Sequence, residues 1–331
     1  MKNKISQHLL YHKWTKQLFF LCIFLNLNCF AQETNFFLDG PPIYYWQKPN
    51  SVNFGDYLSL KLVERILGGQ IRVCQSKDNV QKFLAIGSVL RLARTDDIIW
   101  GSGMNAKVTD INEYKFKRLD IRAIRGPKTR DFIINNFNIE CPEIYGDPAL
   151  LIPYFFPEFI KPQIPEYDYI IIPHYSEVGL FPKSQWANVV YPTDHWREII
   201  RKILNSKFVI SSSLHGIVVA EAYGIPARYL RISESEPLFK YQDYYLGTNR
   251  ETFQYATSVE EALLMGGEPP FECDLQKLID SFPYEYWPEV YPNNLKNWEF
   301  DKEAAQNFLS GASDHCLRQG ASEDKNFDAK P

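Results

Sequence analysis

The sequence predicts an α/β protein made of two Rossmann-like halves, each a parallel sheet with helices joining its strands. Three observations predict it. From residue 40 onward, short apolar runs alternate with amphipathic runs of helix length, the pattern of successive βα units. YDYIII, at Tyr167 to Ile172, is a continuous apolar run of the kind that forms a central parallel strand covered on both faces. Pro148, Pro153, Pro157, Pro162 and Pro165 break up the chain between the two sets of units and mark a linker. The halves are therefore placed at 39–157 and 166–298, after a signal-like or anchor segment at 1–38 and before a disordered tail at 299–331.

In order, Ile43 to Trp46 reads as a first strand, and a helix follows over Tyr57 to Leu67. Leu58, Leu62 and Ile66 fall on one face of that helix, and Gly68-Gly69 stop it. Further strands are expected at Phe83 to Ile86, Ile98 to Trp100 and Ile121 to Ile124. Gly126-Pro127 opens the next helix, since proline suits the first helical position. In the second half, a helix over Thr193 to Leu204 precedes a strand at Phe208 to Ile210. The turn Ser211 to Ser213, a helix over Leu214 to Tyr223 closed by Gly224 and Pro226, and a strand at Ala227 to Arg231 complete the pattern.

Composition narrows the function. The 331 residues are 45% hydrophobic and 23% charged, ordinary globular values. A net charge of −4 without any long basic run argues against a nucleic-acid partner held by its phosphates, so an anionic ligand must be met by local basic residues. Cysteines at 22, 29, 74, 141, 273 and 316 form neither CxxC pairs nor a regular framework and read as plain thiols. The aromatic content of 15% is high, and is read first as core. Lys2, Lys4, Lys13 and Lys16 precede the apolar stretch Leu18 to Leu25, which resembles a secretory signal with cleavage after Ala31, or a short anchor giving membrane association. A misplaced start or an amphipathic extension is the competing reading.

Ligands of parallel sheets bind beyond the carboxyl ends of the strands, and the polar residues of interest fall there. VISSSLHGIVVAEAYGIP places Ser211, Ser212, Ser213 and His215 between a buried strand and a helix N-terminus, where an anion is favoured and an imidazole can move a proton. Capping accounts for one serine only. DIRAIRGPKTRDF sets Arg125 at a strand end, with Lys128 and Arg130 in the first helical turn. Cations oppose the dipole there unless an anion sits among them, which points to a grip on phosphate or carboxylate. Asn53, Gly55 and Asp56 precede a helix, with Asp56 either a cap or a substrate contact. His174 ends a strand and is a further candidate. Gly146-Asp147-Pro148 reads as a rigid turn and His195 as an ordinary helical residue. Gly101-Ser102-Gly103 and Gly87-Ser88 also follow strands, and Gly103 is kept as a candidate, but neither completes a nucleotide fingerprint. No His or Cys spacing supports a metal, and the Glu234 and Glu236 pair is too weak to promote.

In order, NFGD, AIGSVL, IWGSGMN, IRAIRGPKTRDF, YGDPALLIP, IIIPHY, VISSSLHGIVVAEAYGIP and FKYQDYY resemble the polysaccharide pyruvyl transferase family, most nearly its bacterial exopolysaccharide ketal-pyruvate branch. The resemblance runs from Ile43 to Tyr245. It implies a glycosyltransferase-B-like arrangement, no cofactor, phosphoenolpyruvate as donor and a sugar diol of a glycan or lipid-linked saccharide as acceptor. It also implies that His215 is the general acid and Arg125 a donor-binding arginine. Some relatives carry an arginine two residues before this histidine; here that position is Ser213, so the second donor-binding cation must come from elsewhere. A nucleotide-sugar glycosyltransferase on the same scaffold and a non-catalytic glycan-binding protein are the competing readings. The basic, apolar N-terminus points to export or anchoring, whereas the donor is a cytosolic metabolite.

Overall fold

The structure, a computed structural model, describes residues 37–49 and 51–290. The signal-like stretch at 18–25, the cleavage point after Ala31 and the tail at 299–331 lie outside the described residues.

Two parallel sheets carry the fold. β1 (Phe83–Leu84), β2 (Ile98–Trp100) and β3 (Asp120–Ala123) form the first in the order β1-β2-β3, with Phe83 opposite Ile98 and Ile98 opposite Asp120. β4 (Ile170–Ile172), β5 (Val209–Ser211), β6 (Ala227–Leu230) and β7 (Tyr255–Ala256) form the second in the order β4-β5-β6-β7. Ile170 pairs with Val209 and Val209 with Ala227. β2, β4 and β5 are buried at every position, as strands covered on both faces are, whereas β3 alternates between buried and half-buried residues. The expected first strand is reduced to pairing around Ile43, which bridges both Val73 and Phe83 before the chain turns away.

The helices follow from local signals. α1 (Phe54–Leu67) starts after Asn53 and ends where Gly68 takes the left-handed conformation at φ 69°. α2 (Pro127–Phe137) has its proline at the first helical position and ends at left-handed Asn138. α3 (Trp196–Leu204) buries Trp196, Ile199, Ile200 and Ile203. α4 (Leu214–Ala222) is buried along its whole length, His215 and Glu221 included. α5 (Phe239–Gly247), α6 (Val259–Met265) and α7 (Leu275–Asp280) follow, and Ile152–Phe155 forms a single helical turn between the sheets. Among the described residues no helix is long and apolar enough to cross a membrane, and Cys74, Cys141 and Cys273 are free thiols.

The α/β class and the two parallel sheets agree with the sequence reading. The packing is more interleaved than a simple break at 157–166 suggests. A side chain on Gly126 would collide with the Asp243 carbonyl of α5, so the start of α2 and the middle of α5 touch backbone to backbone. Farther on, Trp100 Nε1 donates to Leu278 O at 2.9 Å, and Phe83 packs edge-on against Phe282 at 5.7 Å and Trp287 at 5.4 Å. The chain after the second sheet thus returns to cover the first. Each such ring contributes roughly 1.5–3 kcal/mol of apolar burial.

Candidate functional site

At the carboxyl ends of the strands the loops enclose a cleft of about 540 Å³. Its walls come from the start of α1, the loop after β2, the loop after β4, the β5–α4 turn and the entry to α5.

The β5–α4 turn sorts the three serines. Ser211 Oγ lies 2.8 Å from the carbonyls of both Ile172 and Ser213 and accepts from the Ser213 amide at 3.0 Å. Ser212 Oγ accepts from the His174 amide at 2.8 Å. Both are buried, and both satisfy backbone groups that have no water to turn to. Of the expected donor-binding hydroxyls, those of Ser211 and Ser212 are thus bonded to backbone groups, and neither residue lines the cleft. Ser213 lines the cleft. It stands at the N-cap of α4 yet makes no side-chain capping bond, which leaves its hydroxyl facing the cavity.

His215, in the first turn of α4, is held between two elements. Its Nε2 is fully shielded and lies 3.5 Å from Asp147 Oδ2, and neither atom has another hydrogen-bonding partner. Asp147 is fully buried, and its other oxygen accepts from the Ala149 amide at 3.0 Å. On the opposite edge, Nδ1 abuts Gly55, where any side chain would collide with the ring. Gly55 is thus required by the closeness of α1 to His215. Next to it Asp56 lines the cleft and accepts from Asn53 Nδ2 at 2.5 Å. Burial pushes the Asp56 carboxyl up from its ordinary range, against the pull of His215 and the Asn53 amide. Asn53, Gly55, Asp56 and His215 therefore come together. Asp147, read as a rigid turn, does cap a turn but also faces His215.

Arg125 is placed differently from the sequence reading. It is fully buried, and its donors are taken. Nε lies 3.2 Å from Asp243 Oδ2, Nη1 donates to Ser88 Oγ at 2.6 Å and Nη2 to Met104 O at 2.6 Å, with Gly103 leaving the room. A side chain on Gly103 would come within 2.6 Å of the guanidinium carbon. Asp243 also accepts from the Thr129 amide at 2.8 Å and the Thr129 hydroxyl at 2.6 Å. The anion that the cationic start of α2 demanded is thus Asp243 of the protein itself. Arg125 and Gly103 stand behind the cleft wall, reaching it only through Ser88. Lys128 is turned to Gln242 Oε1 at 2.7 Å and Arg130 to Cys141 O at 3.0 Å, both away from the cleft.

The cations that do line the cleft are Lys48, Arg91, Lys107 and Lys240, against the acidic Asp56 and Glu236. Glu236 is buried between two of them: Oε2 meets Lys240 Nζ at 2.6 Å and Oε1 meets Lys107. Burial raises the Glu236 carboxyl, but Lys240, His174 and Lys107 outweigh it and leave it below its ordinary range. Burial pushes Lys240 down, with Glu236 opposing. Each ammonium has three donors, so Glu236 leaves several free for a second anion. Beside them His174 lies with Nδ1 2.8 Å from Ser176 Oγ and 3.3 Å from Glu236. Burial, helped by Lys240, pushes its imidazole down to about 3, so it is neutral at physiological pH. None of Lys107, Glu236 and Lys240 was singled out from the sequence as a binding residue. An i, i+4 Glu–Lys pair is the commonest surface motif, and only burial gives this one meaning.

The sequence model of the family described as polysaccharide pyruvyl transferase matches residues 53–234, more than half of the chain. An uncharacterized protein of Acanthamoeba polyphaga mimivirus is 27% identical over 237 residues, 67% of this chain and 80% of that one. The succinoglycan biosynthesis protein ExoV of Rhizobium meliloti is 29% identical over 212 residues. That match covers 61% of this chain and 63% of ExoV, less than two thirds of its length. A solved structure of an uncharacterized Klebsiella pneumoniae protein aligns at a TM-score of 0.38 and 13% identity, over 62% of this chain and 87% of that one. The matched segment holds Asn53, Gly55, Asp56, Asp147, His174, Ser213 and His215, and on its extent the chain belongs to the polysaccharide pyruvyl transferase family.

Proposed function

We propose that the protein transfers the pyruvyl group of phosphoenolpyruvate to a sugar diol of a glycan or lipid-linked saccharide, forming a cyclic ketal and releasing phosphate. The observation that carries the reading is the sign of the cleft: Lys48, Arg91, Lys107 and Lys240 line it against Asp56 and Glu236, in a chain of net charge −4. Such a cleft selects a small dianion or trianion. Lys107 and Lys240 hold the donor's phosphate or carboxylate, with Ser213 and the N-terminus of α4 beside them. They supply the cations that Arg125 was expected to provide.

His215 is the proton carrier. Its Nε2 faces Asp147 Oδ2 at 3.5 Å, shielded from solvent, and Nδ1, which makes no hydrogen bond among the described residues, is the nitrogen left for chemistry. A proton passes to the methylene carbon of the donor, and positive charge develops at the carbon bearing the phosphate. One sugar hydroxyl adds there and gives up its proton, restoring the imidazolium. The second hydroxyl attacks the same carbon as the carbon–oxygen bond to phosphate breaks, and its proton leaves with the phosphate. Asp56, whose raised carboxyl lines the cleft next to His215, is placed to hydrogen-bond an acceptor hydroxyl and orient it.

The test is incubation of the full chain with phosphoenolpyruvate and saccharide acceptors, following inorganic phosphate and the mass of the glycan. The expected result is phosphate release that requires acceptor, with a pyruvyl ketal on the product. Consumption of a nucleotide sugar with phosphoenolpyruvate untouched would overturn the reading in favour of a glycosyltransferase.

A further inference from the structure

We infer that Trp46 and Tyr175 form the acceptor platform of the cleft, an aromatic corner that receives a pyranose ring beside the donor-binding lysines. The inference rests on the pyruvyl-transfer reading for what the sugar is doing there, but not for the sugar's binding.

Both rings line the cleft and both are only partly buried. They meet edge to face, with centroids 5.5 Å apart and planes at 73°, so one ring forms a floor and the other a wall. Trp46 leans on the apolar cluster around Tyr44, Leu84 and Ile99. Tyr175 belongs to none of the three apolar clusters of the core. Among the described residues it meets Trp46, the Lys48 ammonium 5.4 Å from its ring centroid, and Ser51 Oγ at 3.2 Å from its hydroxyl. An aromatic side chain half-exposed on a cleft wall, outside the apolar core clusters, suits a ligand with an apolar face.

A pyranose is such a ligand. Its axial C–H groups make one face apolar while its hydroxyls project around the rim. The corner has polar partners at that rim in Ser51, Ser176 and Lys48. The donor's charges are matched at Lys107 and Lys240, which share Glu236 on the same wall and leave the aromatic corner for the acceptor. Tyr175 follows His174 directly in the chain, so a sugar on the corner presents its hydroxyls next to the donor position. The volume, about 540 Å³, falls within the range of sites for ligands far larger than a three-carbon acid.

The test uses the full chain and its variants Trp46→Ala, Tyr175→Ala and Tyr175→Phe, with folding checked by thermal melts. Saturation-transfer NMR is run without phosphoenolpyruvate on methyl glycosides of glucose, galactose and mannose and on their β-linked disaccharides. At least one of these probes is expected to bind the wild type, with transfer strongest at its C–H face. Each alanine variant is expected to weaken that binding about three- to tenfold, as lost aromatic contacts do, and Tyr175→Phe to retain most of it. In turnover assays with an active acceptor, the alanine variants raise KM for the acceptor by the same factor and leave KM for phosphoenolpyruvate unchanged. Absence of binding by every probe, wild-type binding by both alanine variants, or a shift confined to the phosphoenolpyruvate KM overturns the inference. Sugar binding that depends on the corner, without any phosphate release, would sink the pyruvyl-transfer reading and leave the platform standing.

Discussion

His215 Nε2 and Asp147 Oδ2 face each other across 3.5 Å, both shielded from solvent and neither satisfied by any other group. The aspartate precedes the turn at Pro148–Leu151, whereas the histidine opens α4, so the contact joins the two halves of the chain. Two buried orphans at this separation are costly unless the pair tightens during turnover, as catalytic contacts do when substrate closes the site.

Asp147 is accordingly a positioning residue. Asp147→Asn is expected to lower kcat at least about tenfold, within the roughly 10²–10⁴ that general acid catalysis supplies and His215→Ala removes. KM for phosphoenolpyruvate should hardly change, because Asp147 does not line the cleft. In a double-mutant cycle the combined variant should be no slower than His215→Ala alone. Additive losses would show that the two residues act separately.

Gly55 makes a sharper claim. In a helix, Gly→Ala ordinarily stabilises by roughly 1 kcal/mol. Here the added methyl meets the His215 ring, which cannot retreat because Asp147 stands behind it. Gly55→Ala is expected to destabilise by about 1–3 kcal/mol and to reduce kcat by more than tenfold. A thermal melt at or above the wild type would mean that His215 moves freely.

Arg125→Ala is expected to act on stability first. It leaves Asp243 as a buried charge without its partner, a loss of about 3–5 kcal/mol. Chemical denaturation measures it. If the variant kept wild-type stability and only KM for phosphoenolpyruvate rose, Arg125 would be a donor contact after all.

His174 gives a pH signature. Its folded imidazole is pushed from 6.5 down to about 3. Between those values the unfolded chain takes up a proton that the folded one refuses, so stability falls as pH drops through this window. The slope from this group is at most about 1.4 kcal/mol per pH unit. His174→Gln is expected to flatten the fall in melting temperature between pH 6.5 and pH 4, with little change at pH 8. Parallel curves for the two proteins would refute the assignment.

Much of the fold was legible because its signals are local. Apolar runs of strand length, Pro127 at a helix start and Gly68 at a helix end speak for themselves within a few residues. α5 was not, since FKYQDYY lacks helical amphipathicity and is stabilised from outside, by packing on α2. The same division runs through the site. His215, Ser213, His174, Asn53, Gly55 and Asp56 were legible as candidates because each follows a strand or opens a helix, where a parallel sheet presents its ligands.

The sequence by itself determined the α/β class, the two parallel sheets and the delivery of His215 to the end of β5, because backbone periodicity and helix-end chemistry act over short distances. Tertiary structure alone decided which charges face the cleft and which face each other. Arg125 and Asp243 are 118 positions apart in sequence and neutralise one another in the core. Lys107 and Glu236 are 129 apart and meet in the cleft wall. Whether a cation holds a substrate or a neighbouring carboxylate depends on what the fold brings within about 4 Å of it, and no local pattern carries that distance.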